Sequence, residues 1–206
     1  MEKLLQIPKE GFDPLKPNDT FYPIAKELME NYCIKCGDKF FFFAEMEFYY
    51  ERASDKKALN DAGINWEGIT YSRNANAGDL FYHLSGCDIC FKSDETECGG
   101  ILIRSLIDES NNVVAGPMNC VNAMLNACGK NKNVPCLFKK NNTRNVNVRS
   151  TYRFLGYDDF KKINNGNIDG ELKLAFYDSN ISKEIWNHKK SSYSYYSKRF
   201  KYEKKN

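Results

Sequence analysis

The stretch FFFFAEMEFYYER, Phe40 to Arg52, is the most aromatic run of the chain, and it sets two of its glutamates, Glu45 and Glu47, two positions apart among the aromatic residues. Aromatic residues favour strands, and the run reads as one long strand from Phe40 to about Tyr50. Side chains alternate across a strand. Phe40, Phe42, Ala44, Met46, Phe48 and Tyr50 are therefore expected on one face, with no charge among them, and that is the expected core face. Phe41, Phe43, Glu45, Glu47 and Tyr49 are expected on the other. An ionised carboxylate is costly to take out of water unless it is paired or hydrogen-bonded. A face that begins apolar and ends in two carboxylates and a phenol is the pattern of a strand leaving the core for a cleft. Two carboxylates this close disfavour simultaneous ionisation, so either one holds a raised pKa or a cation neutralises it; Arg104, inside the apolar run GGILIRSLID, is a candidate partner. The plainer alternative is a solvated outer face with an Arg–Glu pair.

Working outward, Asp19 or Thr20 is expected to cap a helix in which Pro23 sits in the first turn. Ile24, Leu28 and Met29 mark its buried side up to Asn31. A hairpin through NYCIK and the turn CGDK leads into the long strand. Residues 51–75 read as irregular, anchored by Trp66 and Tyr71. GDLFYHLSGCDICFK (78–92) reads as a strand region in which Gly86 marks a bulge or a close backbone approach. GGILIRSLID is a third strand. AGPMNCVNAMLNACG is a helix opened by Pro117 and closed by Gly129, with Val121, Met124, Leu125 and Cys128 as its apolar side. Residues 131–147 read as a surface loop, VRSTYRFLGYDDF as strand and turn, and Lys183 to His188 as a weak helix. The expectation is a single α+β domain over residues 1–206, a curved and largely antiparallel sheet with flanking helices. Residues 1–20 form an extended arm and residues 189–206 a basic, aromatic tail.

At 206 residues the chain is long enough to bury a sizeable core. A net charge of +3 permits nucleic-acid binding without demanding it. The tail says more: from Lys189 onward seven Lys/Arg face one acid, Glu203, interleaved with Tyr193, Tyr195, Tyr196, Phe200 and Tyr202. Such a segment suits phosphate contact and base stacking, or a solvated terminus. No signal-peptide pattern opens the chain, and the longest apolar run, Phe40 to Ala44, is far too short to span a bilayer. The expectation is an intracellular protein (cytoplasm or nucleoid if bacterial), monomeric, with no membrane partner.

Eight cysteines are present. CIKC and CDIC bring Cys33, Cys36, Cys87 and Cys90 forward as a candidate tetrahedral zinc site. Against it, positions i and i+3 of a strand point to opposite faces, which favours buried reduced thiols acting as small hydrophobes.

The order of segments resembles the alkyladenine (3-methyladenine) DNA glycosylase family. AKELMENY, a hairpin and EMEFY look like that family's helix, hairpin and E-T-E-A-Y strand. GDLFYHLSGCDICFK is similar to its P-G-x-x-Y-V-Y-x-x-Y-G-x-x-x-C-x-N strand, keeping Gly78, Tyr82, Gly86 and Cys90. GGILIRSLID is similar to V-L-L-R-A-L-E-P, and GPMNCVNAM to G-P-x-x-L-x-x-A-L. STYRFLGY weakly resembles an S-P-R-V-G-type strand at Arg153 and Gly156. The resemblance covers roughly residues 22–156. It implies a monofunctional glycosylase that flips a damaged purine out of double-stranded DNA and needs no metal or cofactor. Glu47 would be the base that activates the attacking water, Tyr49 and Tyr82 the stacking walls, and Arg104 a neighbour of the base and the water. Gly116 and Pro117 would open a helix toward phosphate.

Three positions depart from the pattern. Ala58 stands where the family has a pocket histidine, Ser85 where it has a tyrosine wedge at the DNA, and Lys92 where it has a base-binding asparagine. These leave two alternatives: a non-catalytic nucleic-acid-binding relative, and a small zinc-binding interaction protein. A narrower idea makes Lys92 a nucleophile that forms a Schiff base with the sugar; the plainer one makes it a solvated lysine or a phosphate contact.

Overall fold

The computed structural model describes residues 2–7, 12–61, 74–129, 134–153 and 173–189. The basic tail from residue 190 onward, Trp66, Tyr71 and Gly156 lie outside them.

A 3-10 turn at Glu2–Leu5 precedes helix α1, Pro17–Asn31. Pro17, not Asp19 or Thr20, opens this helix, because a proline ring has no N–H to leave unsatisfied in the first turn. Pro23 consequently falls inside the helix. Phe21, Ile24, Ala25, Leu28 and Met29 recur at three- and four-residue spacing and are all buried. Strands β1 (Tyr32–Cys36) and β2 (Lys39–Arg52) follow as the expected hairpin. The described part of residues 51–75 is less irregular than its composition suggested: a 3-10 turn at Ala53–Asp55 runs into the short helix α2, Lys56–Asp61.

The segment 78–92 is not one strand but a tight hairpin, β3 (Leu80–His83) and β4 (Gly86–Cys90), turning at Leu84 and Ser85. Then come β5 (Glu97–Asp108), β6 (Val113–Ala115) and helix α3 (Pro117–Cys128). In α3 the buried residues are Cys120, Val121, Met124 and Cys128, whereas Leu125 is half exposed. Within the stretch expected as loop lies β7, Cys136–Lys139, paired to β1. Strands β8 (Val148–Arg153) and β9 (Lys173–Asp178) and helix α4 (Ser182–Lys189) complete the described chain.

All nine described strands pair antiparallel in one curled sheet, so the α+β class and the flanking helices are as expected. Its order runs β3-β4-β5-β2-β1-β7, with β6 on β5 and the β8–β9 pair on β2. No helix among the described residues is long and apolar enough to cross a membrane.

Strand β2 is the spine, and its alternation is not the uniform one expected. Its register with β5 shifts at Phe43/Glu45 and again at Glu45/Met46. Before the irregularity Phe41 and Phe43 face the main core; after it Met46, Phe48 and Tyr50 do. Strand β5 changes parity at the same place, from Ile101 and Ile103 to Leu106. Phe42, expected in the main core, instead joins Cys33 and Ile107 in a separate cluster against which Phe40 packs. The irregularity thus keeps core residues on one side along the whole strand while turning Glu45 and Glu47 to the other.

Candidate functional site

Glu45 and Glu47 do not lie in solvent. Both are buried, at 1% and 0% exposure, and share one guanidinium. Arg104 donates from Nε to Glu45 Oε1 at 3.2 Å and from Nη1 to Glu47 Oε2 at 2.8 Å. Ser105 Oγ donates to the second oxygen of Glu45 at 2.9 Å. The register irregularity builds this arrangement. It sets Glu45 opposite Ser105, leaves Arg104 beside both carboxylates, and restores pairing at Met46 and Ile103. Charge-assisted bonds of this kind are short and directional, and they answer the cost of burying two carboxylates.

Two residues further along β2, the Tyr49 hydroxyl donates to Asp88 Oδ2 on β4. Glu47 pairs with Leu102, and Leu102 with Asp88, so the two clusters lie two strand spacings apart on one face, roughly 10 Å. His83 brings Nε2 within 3.1 Å of Asp88 Oδ1, without the alignment of a hydrogen bond. Its Nδ1 accepts the backbone N–H of Ser85 at 3.2 Å, which assigns the ring proton to Nε2. Phe81 stacks on the His83 ring, 6.1 Å between centroids.

Of the residues singled out from sequence, Glu47, Tyr49 and Arg104 share this face. Tyr82 does not join them. It pairs with Cys87, a member of the main core, so its half-exposed ring is on the side opposite Asp88. Burial pushes its phenol pKa up, and the thiols of Cys87, Cys36 and Cys128 add to the shift. The cause of the misplacement is the hairpin turn at Leu84 and Ser85, which determines the pairing of Tyr82 with Cys87 and puts His83 rather than Tyr82 toward the carboxylates. Lys92 lies beyond β4, half exposed, its amine 3.9 Å from Asp94 and not at the Glu47–Arg104 cluster. Ser85 is exposed at the hairpin turn. Gly116, at φ +101, turns the chain into α3. Pro117 packs on the hairpin, and a Cβ on Gly86 would stand 2.7 Å from the Cβ of Pro117.

The zinc tetrad does not assemble. Cys33 packs with Phe42 and Ile107, while Cys36 and Cys87 belong to the main core on the other face. Among the described residues no group of three or more His, Cys, Asp or Glu is placed to hold a metal ion.

Sequence reasoning missed Asp88, His83 and Ser105. Asp88 carried a readable signal: it is a charged residue between Cys87 and Ile89 in an otherwise apolar strand, as Arg104 is in its own. Comparison with protein-family models, with curated proteins and with solved structures returns no match.

Proposed function

We propose that the chain is a divergent DNA base-excision glycosylase that hydrolyses the N-glycosidic bond of alkylated or otherwise modified purines. The observation that carries this reading is the Glu47–Arg104 contact of 2.8 Å on the face that also bears Tyr49. A carboxylate oriented by a guanidinium suits general-base work. Water oxygen bonds to the sugar carbon, the carbon–nitrogen bond to the purine breaks with its electron pair leaving on the base, and Glu47 takes the water proton. The Tyr49 ring is 6% exposed and held through its hydroxyl by Asp88, so stacking on a flipped base requires its neighbours to uncover it. No metal enters the step. The placement of Tyr82 removes the second expected wall, so capture rests on fewer aromatic contacts.

The complete burial of Glu47 favours a second reading, in which the carboxylates and Arg104 are a structural ion-pair cluster in a non-catalytic nucleic-acid-binding protein. One experiment separates the two. Duplex DNA with a single hypoxanthine, ethenoadenine or 3-methyladenine is incubated with wild type and with Glu47→Gln, and free base is measured. Release by wild type alone supports the glycosylase. Absence of release from all three lesions by wild type overturns it, and retained binding of those duplexes then supports the second reading.

A further inference from the structure

A cavity of about 190 Å³, lined by residues outside the carboxylate cluster, lies between the turn after β5 and the segment after β7. Phe42, Asp108, Glu109, Lys140, Asn142 and Arg144 line it. Three of the four charges are answered by the lining or the turn beside it. Asp108 Oδ1 accepts the N–H groups of Ser110 and Asn112 at 2.9 and 2.8 Å, and Oδ2 accepts the Asn112 amide at 2.9 Å. Lys140 lies 3.3 Å from Glu109 Oε1 and 3.4 Å from the centroid of the Phe40 ring.

Arg144 is the exception. Its Nε donates to Asn142 Oδ1 at 3.3 Å, while Nη1 and Nη2 are shielded from water and meet no acceptor among the described residues. Asn142 is itself pinned to the end of α1, its backbone N–H on Glu30 O at 2.6 Å and its amide on Met29 O at 3.1 Å. The guanidinium is therefore held from behind by a fixed residue, with its two terminal amino groups unused among the described residues. Burial pulls its pKa down, partly offset by Asp178. The Oδ1 of Asp178 is taken by the N–H groups of Asn147 and Asn180. Arginine does not escape by losing its proton, and buried donors without acceptors are destabilising.

We infer that Arg144 anchors an oxyanion site at this cavity, taking the carboxylate or phosphate group of a small molecule with one oxygen on each terminal nitrogen. The guanidinium fork matches that geometry. Nη1 and Nη2 are shielded from water in the unliganded protein, so the site requires the guanidinium to turn toward the cavity on binding. The cavity is smaller than the roughly 300–1,000 Å³ typical of drug-sized ligands, which fits a single small anion. The site is independent of the glycosylase reading.

The test titrates the full chain with inorganic phosphate and, separately, acetate, at ionic strength held constant with sodium chloride. Melting temperature and the Arg144 Nε–H resonance are followed. Wild type is expected to gain roughly 3–5 °C per tenfold rise in the preferred anion above its dissociation constant, with a saturable shift of the Nε–H resonance. Arg144→Met is expected to lose the response and to melt in chloride at or above wild type, since it removes a buried charge that Asp178 offsets only in part. Arg144→Lys keeps the charge, loses the fork, and is expected to bind at least tenfold more weakly. Preference for phosphate or acetate tells a tetrahedral ligand from a planar one. Equal gains in wild type and Arg144→Met, the signature of ions excluded from the surface, would overturn the site. So would no response to either anion in wild type, or a marked drop in the melting temperature of Arg144→Met in chloride.

Discussion

Arg104 Nη1 donates to Glu47 Oε2 at 2.8 Å inside the protein, and the same guanidinium reaches Glu45 through Nε. Breaking a buried pair from one side leaves charge without compensation and costs about 3–5 kcal/mol. Arg104→Met should therefore unfold at a much lower urea concentration than wild type. Adding Glu45→Gln and Glu47→Gln to that variant removes the stranded charges and should recover a large part of the loss. If the triple variant is less stable than Arg104→Met alone, the ion pair is not what fixes these three side chains. The comparison is read from urea midpoints, with circular dichroism confirming the fold.

Two glycines are expected to resist even the smallest side chain. A Cβ on Gly99 would lie 2.5 Å from the backbone oxygen of Tyr49 and 2.9 Å from the Cα of Tyr50. Neither atom can swing away, because both belong to the paired strand β2. Gly86 sits at φ +147, and a Cβ there would meet Pro117 at 2.7 Å and Leu102 at 2.9 Å. Gly99→Ala and Gly86→Ala should each cost about 1–3 kcal/mol or more, measured by urea unfolding. A neutral Gly86→Ala would show that α3 is free to move off the β3–β4 hairpin.

The strands and helices were legible because aromatic residues and punctuation by Pro117 and Gly129 agree with where elements begin and end. The site was only partly legible. Nothing in FFFFAEMEF marks the change of parity at Ala44–Glu45, since apolar residues flank it on both sides. The reversal depends on pairing with Arg104 and Ser105 sixty positions away, which no local pattern reports. Likewise the choice between Tyr82 and His83 hangs on a two-residue turn. Leu84 and Ser85 lack the Asn-Gly or Gly-rich signature that usually announces such a turn. The edge strand β7 was hidden by its Asn- and Lys-rich surroundings.

The buried thiols carry a pH dependence with a definite sign. Burial pushes Cys33 up to about 11; it pushes Cys36, helped by Cys128, and Cys87, helped by Asp88, up to about 12. In the unfolded chain these thiols ionise near their ordinary value, about 8.5. Between that pH and 11–12 the folded state holds more protons than the unfolded one, so stability falls as pH rises. Below about pH 8 these groups contribute no slope. The urea midpoint, followed under reducing conditions, is expected to drop between pH 8.5 and 10.5, and less steeply in Cys87→Ala. At pH 8 iodoacetamide should modify exposed Cys136 well before Cys36 or Cys87, as read by mass spectrometry. A flat midpoint over that range would show that the thiols are not held protonated.

Asp88 accepts the Tyr49 hydroxyl on Oδ2, and His83 Nε2 lies 3.1 Å from its Oδ1. Asparagine offers one acceptor and one donor in the same place, so Asp88→Asn leaves one of the two facing another donor, at about 1–3 kcal/mol. Tyr49→Phe removes the hydroxyl and leaves the carboxylate one bond short. Because the two changes act on one contact, the double variant should cost less than the sum of the singles by about 0.5–3 kcal/mol. Strict additivity in urea unfolding would mean that the contact carries no energy. The same pair bears on catalysis under the glycosylase reading. Tyr49→Phe keeps the ring and should release damaged base at a rate close to wild type. Tyr49→Ala removes the stacking surface, about 1–3 kcal/mol per base, and should bind the lesion roughly 5- to 150-fold more weakly. Equal loss in both variants would assign the role to the hydroxyl and its bond to Asp88, not to the ring.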